Sequence, residues 1–342
     1  MTTEQQARVT VLGGGSFGTV IANLAASKGY LTTQWLRDVE LVAEMQATHQ
    51  NTRYLKGFNL DSRLQFSTDL EQAVSQADLV FVAIPSKAFR QVIQAAKSYF
   101  KPKPMLVSMT KGIEAGTFSL MSQIIREEVP DARLGVLSGP NLAKEIAAKM
   151  PTGTVIASLD PELRTFVHEV LACAHFRVFA NTDIYGVELS GALKNIYAIA
   201  TGIAQARQVG ENTRSMLLTR ALAEMSRFAV QLGANPLTFL GLAGVGDLFA
   251  TCSSPLSRNY QVGLALGSGK KLADIIADLE QTAEGINTIQ QVKQQADKLG
   301  VYMPIVSGLY DIIYNDLPIQ QVAANMMSSG QRSDVEFVLP NR

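Results

Sequence analysis

Arg8-Val-Thr-Val-Leu12, followed at once by Gly13-Gly14-Gly15-Ser16-Phe17-Gly18, is the most informative stretch of this 342-residue chain. The first five residues are a short β-branched run. From Ser16 to Lys28 the spacing becomes helical, with Phe17, Val20, Ile21 and Leu24 on one side. Gly13, Gly15 and Gly18 match G-x-G-x-x-G, a weak signal alone. Here it closes a strand and opens a helix, the context that a dinucleotide-binding turn requires. Gly13 permits the tight turn. Gly15 lets the backbone approach a pyrophosphate, whose charge meets the N–H groups at the helix N-terminus, and Gly18 permits close packing of helix on strand. The competing reading is that the glycines serve only a tight turn.

Outward from this turn, strand-like and helix-like stretches alternate. Leu31–Leu36 predicts a strand, and a helix follows from about Val39. Asp78–Ile84 is apolar without alternation, as in a parallel strand covered on both faces. Pro85 stops it, and Ser86 is placed to cap the next helix. Further strands are expected at Met105–Met109, Leu134–Leu137, Thr154–Ser158 and Arg177–Ala180, with helices at about Phe118–Glu128, Ala143–Met150 and Glu162–Ala172. This alternation predicts an α/β fold with a Rossmann-type, doubly wound parallel sheet. From Ile184 onward there is no strand pattern. Helical stretches cover Ile184–Gln205, Thr213–Leu232, Tyr260–Leu266, Leu272–Asp278, Ile286–Leu299 and Ile305–Tyr314. Residues 1–185 are therefore expected to form the dinucleotide-binding domain and residues 186–342 an all-α domain, with a polar, loosely held tail at Gly330–Arg342.

Lys+Arg and Asp+Glu each total 30, so the formal net charge is zero. That leaves no bulk field to attract nucleic acid or an anionic membrane surface, and any phosphate must be held by a few well-placed groups. No run approaches the ~20 apolar residues of a membrane helix. The N-terminus lacks the basic and then apolar pattern of a secretory signal. A cytoplasmic protein without membrane insertion is expected. Cys173 and Cys252 form no C-x-x-C pair, and His49, His168 and His175 have no metal-ligand spacing. The thiols read as buried apolar groups, and no metal is expected.

Two places bear on chemistry. The end of the second strand reads Trp35-Leu36-Arg37-Asp38. Arg37 suits a 2′-phosphate, which favours NADPH. Asp38 pointing inward could instead hold the ribose 2′-hydroxyl of NADH, so the cofactor is NADP or NAD with NADPH preferred. The second place is Lys194, in Glu188-Leu-Ser-Gly-Ala-Leu-Lys-Asn195. Gly191 shares its helix face one turn away and suggests close approach of a ligand or of another helix. Leu189, Leu193 and Ile196 flank the lysine. Burial among them would lower its pKa and make it a usable general acid/base; a snorkelling lysine with an exposed head is the alternative.

Seven ordered segments bring a family into view: GGGSFGT from Gly13, AIPS at Ala83–Ser86, SMTKGIE at Ser108–Glu114, LSGPNLAKEI at Leu137–Ile146, ELSGALKN at Glu188–Asn195, GLAGVGDL at Gly241–Leu248, and SRN at Ser257–Asn259. Over essentially its whole length the chain resembles the NAD(P)-dependent glycerol-3-phosphate dehydrogenases of the bacterial type. The resemblance implies reversible reduction of dihydroxyacetone phosphate to sn-glycerol 3-phosphate, which supplies glycerophospholipid synthesis. It makes Lys194 the proton acceptor in the oxidative direction. Lys111 is implied to touch both substrate and cofactor, and Gly139, Asn141 and Asp247 to line the substrate site. Ser257, Arg258 and Asn259 are implied to hold the phosphate. Ser16, Phe17, Arg37, Ala143, Arg258 and Glu284 join Gly13, Gly15 and Gly18 as cofactor contacts. Phe17 stands where the family allows several aromatics. Asn141 stands where several relatives carry a hydroxyl, so substrate affinity is expected to be tuned there. The resemblance also allows a homodimer. Without it, each residue has a plainer reading. Lys111 could precede a helix at the surface, and Asp247 could cap a turn. Asn141 and Ser257 could cap helices, Arg258 could be solvated, and Glu284 could carry surface charge.

Overall fold

The apolar run of the fourth strand shows why this sheet forms. Leu79, Val80, Phe81 and Val82 are all buried. Phe81 packs with Val9 and Val11 in the core on one face, while Val80 and Val82 pack with Leu12 on the other. A strand covered on both faces has no reason to alternate polar and apolar residues. A computed structural model describes residues 6–278 and 284–328; the tail Gly330–Arg342 lies outside the described residues. The chain separates into two units. One comprises Met1–Thr110 and Ser119–Ile184, the other Lys111–Phe118 and Tyr185–Arg342.

The first unit runs β1 (Arg8–Leu12), α1 (Ser16–Ser27), β2 (Leu31–Trp35), α2 (Val39–Thr48), β3 (Gln65–Ser67), α3 (Leu70–Val74), β4 (Leu79–Val82), α4 (Ser86–Ala96), β5 (Met105–Ser108), α5 (Met121–Glu128), β6 (Arg133–Ser138), α6 (Ala143–Ala147), β7 (Thr152–Ala157), α7 (Pro161–Leu171) and β8 (Phe176–Asn181). The strands form one eight-stranded sheet in the order β3-β2-β1-β4-β5-β6-β7-β8. Winding reverses between β1 and β4, so the turn after β1 lies at the topological switch point, where open α/β sheets bind ligands.

Several details depart from the sequence reading. The sheet is not wholly parallel, because β7 runs antiparallel to β6. The short link through α6 returns the chain at the edge it left, which is all an antiparallel neighbour needs. Ser86 does not cap α4. It is the first helical residue, and the cap position falls to Pro85, which makes no side-chain cap bond. β3 and α3 were not anticipated; three and five residues are too few to show a period. α5 starts at Met121, because Phe118 has φ +60. α6 stops at Ala147, two residues before Lys149, also at φ +60.

Lys111–Phe118 of the second unit is not helical; from Ile184 onward every regular element among the described residues is a helix or helical turn: α8 (Ile184–Ala206), α9 (Glu211–Gln231), a 3₁₀ turn at Pro236–Leu240, a π turn at Leu242–Gly246, α10 (Asp247–Ser253), α11 (Arg258–Gly267), α12 (Leu272–Asp278), α13 (Glu284–Leu299), α14 (Pro304–Tyr314) and α15 (Ile319–Met327). α10, α15 and the two turns were not read from sequence. α8 is buried on every side from Gly186 to Ile203, which explains its apolar character all round. α8 and α11 cross at backbone contact. A Cβ on Gly202 would stand 2.2 Å from the Tyr260 carbonyl oxygen, and one on Gly263 would stand 2.1 Å from that of Ile199.

Glu224 of α9 caps α14 from a distance. Its carboxylate accepts the Ile305 N–H (2.6 Å) and the Val306 N–H (3.4 Å), and Tyr197 donates its hydroxyl to it (3.2 Å). The residue before that helix, Met303, offers no cap of its own. Burial pushes the Glu224 carboxyl up to about 8, against the pull of these donors.

Candidate active site

The glycine-rich turn of the first unit is built for a close backbone approach. Gly13 has φ +122, and a Cβ there would sit 2.3 Å from the Ala83 carbonyl oxygen. A Cβ on Gly18 would meet the Gly13 carbonyl oxygen at 2.6 Å. Gly15, the N-cap of α1, faces open space, with nothing within 4 Å of a built Cβ. The turn is thus packed tightly behind and left open at the helix N-terminus. This arrangement fits a dinucleotide pyrophosphate. Phe17 packs partly against the core, and the Ser16 hydroxyl donates to the Tyr54 carbonyl at 2.6 Å.

Two buried amides hold this turn, and sequence reading passed over both. Gln34 of β2 donates to the Gly13 carbonyl (2.9 Å), and Asn51 donates to the Gly14 carbonyl (2.9 Å). Both also donate to the Thr19 hydroxyl, at 3.0 and 2.9 Å. Arg37 is exposed at the end of β2. Asp38 is the N-cap of α2 and pairs with Arg53. After β6 come Gly139, at φ +147, then Asn141, and then Ala143, the first residue of α6. Asn141 donates to the Thr154 hydroxyl at 2.9 Å and does not cap α6, whose N-cap is Leu142.

In the second unit three ionisable residues meet, although 53 and 136 positions separate the partners. Asp247, at the start of α10, bridges two lysines. Lys194 of α8 pairs with its Oδ1, and Lys111 donates to its Oδ2 at 2.7 Å. Thr251, one turn on from Asp247, accepts from Lys194 at 2.6 Å. Lys194 is 6% exposed and Asp247 1%, so the snorkelling alternative does not hold. Desolvation dominates the Lys194 ammonium and, with repulsion from Lys111, lowers it to about 7; the Asp247 carboxylate opposes this. An amine poised there can both give and take a proton near neutrality. Thr251 was missed, and its only signal was the i, i+4 spacing from Asp247. Cys252 is buried beside this cluster, and burial pushes its thiol up to about 12, which leaves it unreactive. Cys173 is only half-buried, unlike the sequence reading.

The starts of two helices complete this side. Ser257 caps α11, accepting from the Tyr260 N–H at 3.3 Å, so its plainer reading is true at least in part. Arg258 and Asn259 open α11, and Glu284 opens α13 and acts electrostatically on Arg258. Asn259 Oδ1 accepts the Gly285 N–H at 3.0 Å. A Cβ on Gly285 would lie 2.7 Å from both that oxygen and the Asn195 carbonyl oxygen. α13 therefore begins against α11 and against the residue that follows Lys194. Two helix N-termini with an arginine and an amide make a site suited to an anion.

A switch-point glycine turn on a Rossmann-type sheet, with a buried lysine–carboxylate cluster in a helical unit, defines a nicotinamide-dinucleotide dehydrogenase. Comparison with known proteins narrows the class. Residues 8–164 match the NAD-dependent glycerol-3-phosphate dehydrogenase N-terminus, and residues 183–324 match the C-terminus of the same family. A glycerol-3-phosphate dehydrogenase [NAD(P)+] of Acinetobacter baylyi is 61% identical over 98% of this chain and 93% of its own length. That of Psychrobacter cryohalolentis is 55% identical over 97% of this chain and 77% of its own. The crystal structure of glycerol-3-phosphate dehydrogenase from Coxiella burnetii superposes with a TM-score of 0.91 at 35% identity, covering 95% of this chain and 99% of that one. The chain belongs to the NAD-dependent glycerol-3-phosphate dehydrogenase family. Among the described residues no helix is long and apolar enough to cross a membrane.

Proposed function

We infer that this chain catalyses the reversible, NAD(P)H-dependent reduction of dihydroxyacetone phosphate to sn-glycerol 3-phosphate. The observation that carries the reading is the buried Lys194–Asp247–Lys111 cluster, whose lowered lysine suits the acid–base step of this reaction. Residues 1–185 hold the cofactor, with Gly13, Gly15, Ser16, Phe17, Gly18, Arg37 and Ala143 along it. Residues 186–342, together with Lys111, supply substrate binding and acid–base chemistry.

A nicotinamide held by these residues would supply the hydride for reduction of the substrate carbonyl and accept it in oxidation. Lys194, as ammonium, donates a hydrogen bond to the carbonyl oxygen and gives it a proton; neutral Lys194 takes that proton back in the reverse direction. Asp247 keeps the ammonium oriented, and Lys111 adds positive charge where oxyanion character develops. Ser257, Arg258 and Asn259 hold the phosphate, and that remote binding energy aligns the carbonyl. Gly139 and Asn141 contact the substrate, and Arg258 and Glu284 also reach the cofactor. The product is the backbone of glycerophospholipids. The chain works in the cytoplasm, as a homodimer if it follows its family, which gel filtration with light scattering measures.

Absorbance at 340 nm tests the reading. Signal loss is expected with dihydroxyacetone phosphate and not with unphosphorylated dihydroxyacetone. A flat trace from protein that binds NADPH overturns the substrate assignment.

A further inference from the structure

The end of β2 carries more charge than its sequence suggested. Asp38 uses one carboxylate oxygen to cap α2, accepting the Leu41 N–H at 3.0 Å. Its other oxygen accepts from Arg53 Nη1 at 2.8 Å. Arg53 belongs to no motif, yet its position is closely determined. It sits in the turn at residues 51–54, which is stitched to the glycine-rich turn at both ends. At one end buried Asn51 donates to the Gly14 carbonyl while its Oδ1 accepts the Tyr54 N–H at 3.0 Å. At the other, the Tyr54 carbonyl accepts from Ser16. The Arg53 guanidinium lies 5.4 Å from the centroid of the Tyr54 ring, and its side chain is 59% exposed. It is thus positioned, and most of its donors still face water.

The two nicotinamide cofactors ask opposite things of this corner. A ribose 2′-hydroxyl wants an acceptor. A 2′-phosphate carries nearly two negative charges, wants more than one cation, and is repelled by a bare carboxylate. Asp38 supplies the acceptor, but next to a 2′-phosphate its charge must be offset. Arg37, the one cation the motif indicates, shares the corner with that carboxylate.

We propose that Arg53 is a second 2′-phosphate-binding residue, and that the Asp38–Arg53 pair lets this site take either cofactor. With NADPH, Arg53 stays against Asp38 and offsets its charge while its remaining donors bind the phosphate alongside Arg37. With NADH, Asp38 accepts the ribose hydroxyl while Arg53 stays paired and neutralises it. The proposal rests on the cofactor reading above and assigns its 2′ selectivity to a residue outside the fingerprint.

Calorimetric titration with 2′,5′-ADP and 5′-AMP, and then with NADPH and NADH, tests it without turnover. Arg53→Gln is expected to weaken 2′,5′-ADP and NADPH by about tenfold or more, the loss of one charge-assisted hydrogen bond, and to leave 5′-AMP and NADH within about twofold. Arg53→Lys should recover part of that loss. Asp38→Asn, which keeps a helix-capping side chain, should weaken NADH while NADPH holds or tightens. If Arg53→Gln weakens both cofactors equally, or neither, the proposal fails while the cofactor reading stands. If the unaltered protein binds neither dinucleotide, both fail.

Discussion

Lys194 combines burial, one anionic partner and one cationic neighbour, and its behaviour follows from their balance. Because burial lowers its ammonium to about 7, the neutral form that accepts a proton from the alcohol accumulates as pH rises past that point. The rate of glycerol 3-phosphate oxidation should climb through about 7, and the rate of carbonyl reduction, which needs the ammonium, should fall over the same range. A pH–rate profile in each direction checks the sign; limbs running the same way would remove Lys194 from the acid–base role. Lys194→Ala should lower kcat by about 10²–10⁴-fold while NADPH binding, measured by fluorescence, is kept. Lys194 was legible as a residue of interest because a lysine among Leu189, Leu193 and Ile196 is unusual. Its partner was not legible from pattern, since 53 positions lie between it and Asp247; only the resemblance connected them. Arg53 was illegible for a related reason. Its contact with Asp38 is made by a turn whose path depends on Asn51 reaching the backbone of Gly14.

At the scale of elements, the long-range cap of α14 makes the clearest prediction. Glu224→Ala leaves the Ile305 and Val306 N–H groups without their acceptor and should cost about 1–3 kcal/mol, read from a urea midpoint. Glu224→Gln separates charge from shape. The folded-state value, about 8, lies above the ordinary 4.5, so the folded protein holds the proton more tightly than the unfolded chain. The contribution to stability is fully present below about 4.5 and is lost as pH rises through about 8. Stability of the unaltered protein relative to Glu224→Gln should therefore decline across that window. A difference that is flat with pH would show that Glu224 does not titrate there. Elements with their own signal were readable: β1, α1 and β4 each carry a period or an apolar run long enough to see. β3 is too short, and the direction of β7 is set by how α6 returns the chain, which no local pattern encodes.

Over the whole molecule, cofactor binding and stability are linked by mass action. NADPH at one hundred times its Kd should raise unfolding free energy by about 2.7 kcal/mol, and the shift should fall on whichever transition includes the first unit, where the glycine turn lies. Denaturant melts with and without NADPH measure it; an unmoved transition would contradict the assignment of that turn. The architecture of a Rossmann-type sheet followed by helices was readable because β–α alternation stops at Ile184. The membership of Lys111–Phe118 in the helical unit was not, because that segment follows β5 in sequence and carries no sign of where it packs.

That excursion sets a timetable for biosynthesis. Lys111 leaves the ribosome 136 residues before Asp247, which at ordinary elongation rates is a delay of about 7–27 s. The nascent chain must carry Lys111–Phe118 while the last three strands of the sheet are still to be made, and hold it until α8 and α10 arrive. Neither lysine can find its carboxylate until nearly three-quarters of the polypeptide exists, so a product terminated before Asp247 carries no assembled acid–base centre.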